Sequence, residues 1–177
     1  MKLNKSLLLV LFGLMLFSFC TNFSQEIIQV KELQSKYDHL SIKVDSVDIK
    51  LSANKLKEYD TIIDSFRNRM DKEKLPSQST MNFINQFRST KQTFKRTPKK
   101  VSSLKKSIKT NIEQLTNLEN DLRNRSLKKQ DVVNFLNEEK LELERLYKDH
   151  HNIVSELNAQ ITRFDSLIVQ SKSITLN

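Results

Sequence analysis

The sequence predicts an all-α fold: an elongated antiparallel three-helix coiled-coil bundle, its middle helix kinked or broken near Pro98, behind an N-terminal export signal. Three observations carry this reading. Beyond Gly13 the chain has no glycine, so the positive-φ turns of strand-rich folds and of glycine-cradled phosphate sites lack their usual residue. Apolar residues recur at alternating intervals of three and four over three long stretches, the mark of helices with one buried seam. Those stretches, residues 28–72, 78–123 and 127–171, are nearly equal in length and joined by short connections, which suits helices folded back on one another. At helical rise each would be about 68 Å long.

The chain opens MKLNKSLLLVLFGLMLFSFCTNFSQE, in which Lys2 and Lys5 precede an apolar run at residues 7–17. That is the layout of an export signal, and the run is shorter than the roughly 20 residues of a spanning helix. Residues 1–24 are assigned to the signal and residues 25–177 to one helical domain. The only cysteine, Cys20, stands in LFSFCT, which resembles the lipobox of bacterial lipoproteins. Ser18 fits that pattern, whereas Phe19 occupies a position where the family has a small residue. The resemblance implies cleavage before Cys20 and a lipid anchor in the outer envelope. A cut after Cys20 or after Ser24 gives a soluble periplasmic or secreted product instead, and both outcomes stay open. Either way the mature chain has no free thiol for a disulfide, so packing must hold the fold. Apolar content is only 37%, below the usual ~45–50%, so a thick layered core is not expected.

In the first stretch Leu33, Tyr37, Leu40, Val44, Val47 and Leu51 keep one stripe. After a slip of frame near Ala53 and Asn54, Leu56, Tyr59, Ile63, Phe66 and Met70 resume it. LSIKVDSVDIKL also alternates like a strand, but the helical frame on both sides overrides that pattern. Pro76 disfavours helical geometry at Leu75 and ends the stretch, with Ser77 or Ser79 as the next cap.

The second stretch is the most regular. Phe87, Phe94, Val101, Ile108, Leu115 and Leu122 fall at intervals of seven, with Phe83, Leu104 and Leu118 in the companion column. The frame passes through Pro98 unbroken, which a linker between independent domains would have no reason to preserve. A proline inside a helix costs on the order of 3 kcal/mol, so a kink, or a restart capped by Thr97, is expected there. In LRNRS, Asn124 is the expected left-handed cap and Ser126 the cap of the third stretch. That stretch reads Val133, Leu136, Leu143, Tyr147, His150, Val154, Leu157, Ile161, Phe164 and Ile168 in one frame, missing only at Lys140. Leu146, Ile153 and Leu167 fall beside the seam and are expected to be exposed. The architecture resembles a spectrin-type three-helix coiled coil in shape, without a shared motif.

Charge is the other strong signal. Residues 77–112 hold nine lysines and arginines and no acid. Without Lys2 and Lys5 the chain has 28 basic and 21 acidic residues; without these nine it would have 19 against 21. The surplus charge is therefore this one segment. With Val101 at heptad position a, Arg88, Lys95, Arg96, Lys99, Lys106 and Lys109 point away from the bundle, in a stripe about 31 Å long. Lys91, Lys100 and Lys105 fall on the flanks, where they can pair with neighbouring helices. Folding about Arg125 predicts Lys105 and Lys106 near Glu144 and Glu142; the first hairpin predicts Arg88 and Lys91 near Asp60 and Glu58.

Such a stripe suits phosphates or other anions through local potential and counterion release, and its plain reading is a solvated face. Nucleic acid is not the expected ligand, since Phe83, Phe87 and Phe94 lie on the seam rather than outward as stacking platforms. His150 and His151 are adjacent, so they cannot grip one metal as an i, i+4 pair does; His39 is expected near the opposite end. Glu138, Glu139, Glu142 and Glu144 alternate with Lys140 and Arg145 and read as a solvated face rather than a catalytic pair. No cofactor fingerprint, Walker loop or HExxH motif occurs.

The expected function is therefore non-enzymatic: a secreted or cell-envelope helical module that spaces or binds protein partners, including a second copy of itself. The alternative is an anion-binding module acting through the Arg88 to Lys109 stripe on lipid headgroups, lipopolysaccharide or an acidic partner. It resembles basic periplasmic holdase chaperones in export, basicity and coiled-coil content, although no terminal strand pattern matches them.

Overall fold

The computed structural model describes residues 23–70 and 78–174. Residues 1–22 of the expected export signal, with Cys20, and also Pro76 and Ser77 lie outside the described residues. Every element among them is an α-helix: α1 (Ser24–Asp45), α2 (Ile49–Met70), α3 (Gln78–Arg123) and α4 (Lys129–Ile174). α1 and α2 together form the first arm, and LSIKVDSVDIKL is helical on both sides of residues 46–48, as the flanking frame predicts. Cross-arm pairs fix the topology. Lys31 meets Glu119, Asp45 meets Lys105 and Asp60 meets Lys91, so the first arm runs against α3. Glu26 meets Lys129 and Lys55 meets Asp165, so it runs alongside α4. The bundle is thus up-down-up.

The first arm departs from its prediction. It breaks at residues 46–48, ahead of the expected slip near Ala53. Ser46 ends α1 by donating its N–H to the Ile42 carbonyl and its hydroxyl to the Lys43 carbonyl at 2.7 Å. Asp48 then starts α2, its Oδ1 accepting the Leu51 N–H at 2.8 Å. Short polar side chains satisfy the orphan groups at both helix ends here, so the clustered cap residues of Asp45-Ser46-Val47-Asp48 are the missed signal.

α3 follows its prediction closely. Phe87, Phe94, Val101, Ile108, Leu115 and Leu122 are all at most 1% exposed, and Phe83, Leu104 and Leu118 are buried beside them. The same companion column also buries Thr90, Thr97 and Asn111. The helix is continuous through Pro98, with no break. Pro98 has no N–H for the Phe94 carbonyl; the fully buried Ser52 of α2 donates its hydroxyl to that oxygen instead, at 2.9 Å. A second arm thus repairs the proline's defect. Ser52→Ala should cost about 1–3 kcal/mol by orphaning this carbonyl. In a Pro98→Ala background the cost should shrink, because the alanine brings back the backbone N–H that proline lacks. A double-mutant cycle by urea unfolding measures the coupling.

The α3–α4 turn corrects two more expectations. The left-handed residue is Arg125, with φ 53°, not Asn124. Ser126 donates its N–H to Asp121 and Arg125 to Leu122, which closes a Schellman-type cap. The Ser126 hydroxyl also goes back to the Asp121 carbonyl, so it closes α3 rather than opening α4. Ser79 lies inside α3, which begins at Gln78. Arg125→Gly should raise stability by roughly 0.5–1 kcal/mol by removing a side chain from a left-handed position; thermal melting reads the change.

In α4 the predicted column Leu136, Leu143, Leu157 and Phe164 is buried, with His150 between them half-buried, but its companion column is one residue earlier. Val132, Glu139, Leu146, Ile153 and Leu167 are buried, whereas Val133 is exposed and Tyr147, Val154, Ile161 and Ile168 are half-buried. A helix with two neighbours needs a stripe wider than one seam. Leu146, Ile153 and Leu167, expected outside, are 1%, 7% and 3% exposed. They pack inside the bundle and offer no apolar surface to a partner.

Candidate functional site

The six outward basic residues of α3 are all exposed. Arg88, Lys95, Arg96, Lys99 and Lys106 make no ion pair among the described residues, and Lys109 reaches Glu113 at 3.8 Å with both side chains well exposed. The flank lysines behave differently. Lys91 pairs with Asp60 at 2.8 Å, Lys105 with Asp45 at 2.6 Å and Lys100 with Glu156 at 2.5 Å. Hydrogen bonding from Lys100 holds the Glu156 carboxyl below its ordinary value, and Thr93 donates to the same carboxylate at 3.2 Å. Lys91 also lies over the Tyr59 ring, 4.7 Å from its centroid. The fold therefore consumes the flank lysines and leaves the outer row available. The expected pairing of Lys105 and Lys106 with Glu144 and Glu142 does not occur, because α1 presents Asp45 to Lys105 and Arg145 occupies Glu142.

The acidic residues of α4 are not all a solvated face. Glu139 is 7% exposed and takes part in a buried triad with one member from each arm. Tyr37 donates its hydroxyl to Glu139 Oε2 at 3.0 Å, and Asn111 Nδ2 donates to the Tyr37 oxygen at 2.9 Å. Burial raises the Glu139 carboxyl above its ordinary value and raises Tyr37 as well. Nearby, the Arg145 hydrogen bond holds Glu142 below its ordinary value. With its donors and acceptors facing one another, the triad ties the three arms together. Sequence pattern missed it because Glu139, Asn111 and Tyr37 each look unremarkable until the arms are aligned.

The histidines do not converge. His39 approaches the Tyr147 hydroxyl at 3.4 Å, level with the middle of α4 rather than at the far end, because α1 and α4 run in the same direction. His150 is half-buried beside the α1–α2 break and His151 is exposed. Among the described residues no group of three or more His, Cys, Asp or Glu is placed to hold a metal ion. No described helix is long and apolar enough to cross a membrane.

Comparison with protein-family models, with curated proteins and with solved structures found no match to this chain.

Proposed function

We propose that this chain is a non-enzymatic helical contact module of the cell envelope or secreted space, and that its working face is the basic stripe of α3. Its three heptad-patterned arms are read as a coiled-coil rod. One observation carries the proposal: Arg88, Lys95, Arg96, Lys99 and Lys106 stay exposed without ion-pair partners, while Lys91, Lys100 and Lys105 are each paired at the surface with an acid of a neighbouring arm. A row of fixed cations on a convex helix fits an anionic surface, such as lipid headgroups or lipopolysaccharide phosphates. Partnership with an acidic protein is the second reading, favoured by the same row; self-association has lost the exposed Leu146, Ile153 and Leu167 that motivated it.

The test compares two variants on anionic vesicles. Near such a surface each lysine is worth about 1 kcal/mol. Replacing Lys95, Lys99, Lys106 and Lys109 with Gln should then weaken binding on the order of a thousandfold. Replacing Lys91, Lys100 and Lys105 with Gln should leave most of it. Equal losses in both variants would contradict the assignment of the working face, and retention of binding by the stripe variant would sink it.

Export remains part of the proposal, with Cys20 as the residue acylated if the lipobox resemblance holds. The cut position also decides whether the mature chain keeps Phe23, which is 3% exposed and packs in the core. Intact-mass analysis of the mature N-terminus separates acylated Cys20 from a start at Thr21 or Gln25.

A further inference from the structure

We propose that the bundle bends at the level of Pro98, as two packed halves joined by a built-in hinge. Four independent features meet there. The first arm is interrupted at residues 46–48. On α3, Pro98 removes a rung of the helix ladder, and the Phe94 carbonyl is held by Ser52 from the neighbouring arm. The core itself is divided: one apolar cluster ends at Val44, Val101 and Ile153, and the other begins at Tyr59, Phe94 and Leu157. Val47, inside the break, is half-buried and packs against both. Finally, an open groove of about 310 Å³ lies beside the break, between Val47 and Leu51 on one side and Val154, Leu157 and Ile161 on the other.

Each feature has its own physical consequence. Interiors packed to crystal-like density move as rigid bodies, so displacement concentrates where packing is interrupted. The groove supplies the room that a close-packed level would deny. Two arms lack a full helix ladder at this height, and α4 spans it as a continuous helix, which long helices do with gentle curvature. The stripe straddles the hinge: Arg88 and Lys95 lie on one side, Lys106 and Lys109 on the other, and Arg96 and Lys99 beside Pro98. Bending therefore changes the curvature of the row of cations. The hinge stands whether or not the stripe is the working face.

The experiment uses spin-label distances in the full chain carrying Cys20→Ser. Labels at Ser35→Cys and Thr61→Cys, both exposed, span the break. Labels at Ser102→Cys and Asn120→Cys, also exposed, stay within one half of α3. The spanning pair should give a broader distance distribution than the control pair. Pro98→Ala, which returns a donor to the Phe94 carbonyl, should narrow it. A spanning distribution as narrow as the control would overturn the proposal. So would a broad one that Pro98→Ala leaves unchanged, since the motion would then belong elsewhere.

Discussion

Phe87→Ala is expected to destabilise the bundle by about 3–5 kcal/mol, a large part of the stability of a domain this size. Phe87 is fully buried, and its ring lies 4.8 Å from Tyr59, 5.5 Å from Phe83 and 5.0 Å from Phe164. Phe164 in turn meets Phe94 edge-on at 5.4 Å. All three arms supply rings to this stack, so truncating its centre removes contacts to each and leaves a cavity that α-helical backbones cannot close. The midpoint of urea unfolding reads the loss. A cost below about 1 kcal/mol would mean that the rings do not pack as a unit.

The second large effect concerns Glu139. Glu139→Ala should cost about 1–2 kcal/mol by removing the carboxylate that accepts from Tyr37 at 3.0 Å, which leaves the buried hydroxyl only the longer contact to the Glu139 backbone carbonyl at 3.3 Å. Glu139→Gln separates hydrogen bonding from charge, since the amide keeps an acceptor for Tyr37 and cannot ionise. Burial raises the Glu139 carboxyl in the folded chain. The folded state therefore holds a proton that the unfolded state releases first, and ionisation of Glu139 subtracts stability as pH rises through that window. Glu139→Gln should consequently be more stable than the parent at neutral pH, with the advantage fading as pH falls to the ordinary carboxyl range. Glu142 and Glu156 shift the opposite way; they add stability above the ordinary carboxyl range that is lost as pH falls through their lowered values. The parent-minus-variant difference cancels Glu156 and leaves of Glu142 only its charge coupling to Glu139. A difference that does not change with pH would show that Glu139 is not charged at neutral pH or is not desolvated.

Much of this architecture was legible in the sequence because a heptad seam is a local, repeated signal. Phe87 through Leu122 announced α3, and the burial of every member follows from their spacing of seven. Lys91, Lys100 and Lys105 were placed on the flanks by the same frame, and each finds an acid on a neighbouring arm. What the pattern could not supply was anything depending on two neighbours at once. The companion column of α4 slid from Val133 to Val132 because two adjacent apolar columns serve different partners, and periodicity cannot rank them. The break at residues 46–48 was masked by Val44, Val47 and Leu51 continuing the frame across it, although Ser46 and Asp48 are good cap residues. Pro98 was expected to kink or break α3 because its helix alone cannot satisfy Phe94; the helix is not broken, and the hydroxyl that meets the Phe94 carbonyl comes from Ser52, on another arm. Glu139 and Asn111 were invisible as core residues, because a polar group is tolerated in a seam only when partners from other arms meet it. The stripe itself, being a property of one helix face, was fully readable.

The most direct measurement is the binding of the wild-type chain to neutral and to anionic vesicles at low and at high salt. The basic stripe predicts no binding to neutral vesicles, and binding to anionic ones that weakens steeply as salt screens the surface. Equal binding to both vesicle types, or anionic binding indifferent to salt, would contradict it; so would no binding to either, leaving an acidic protein as the partner to seek.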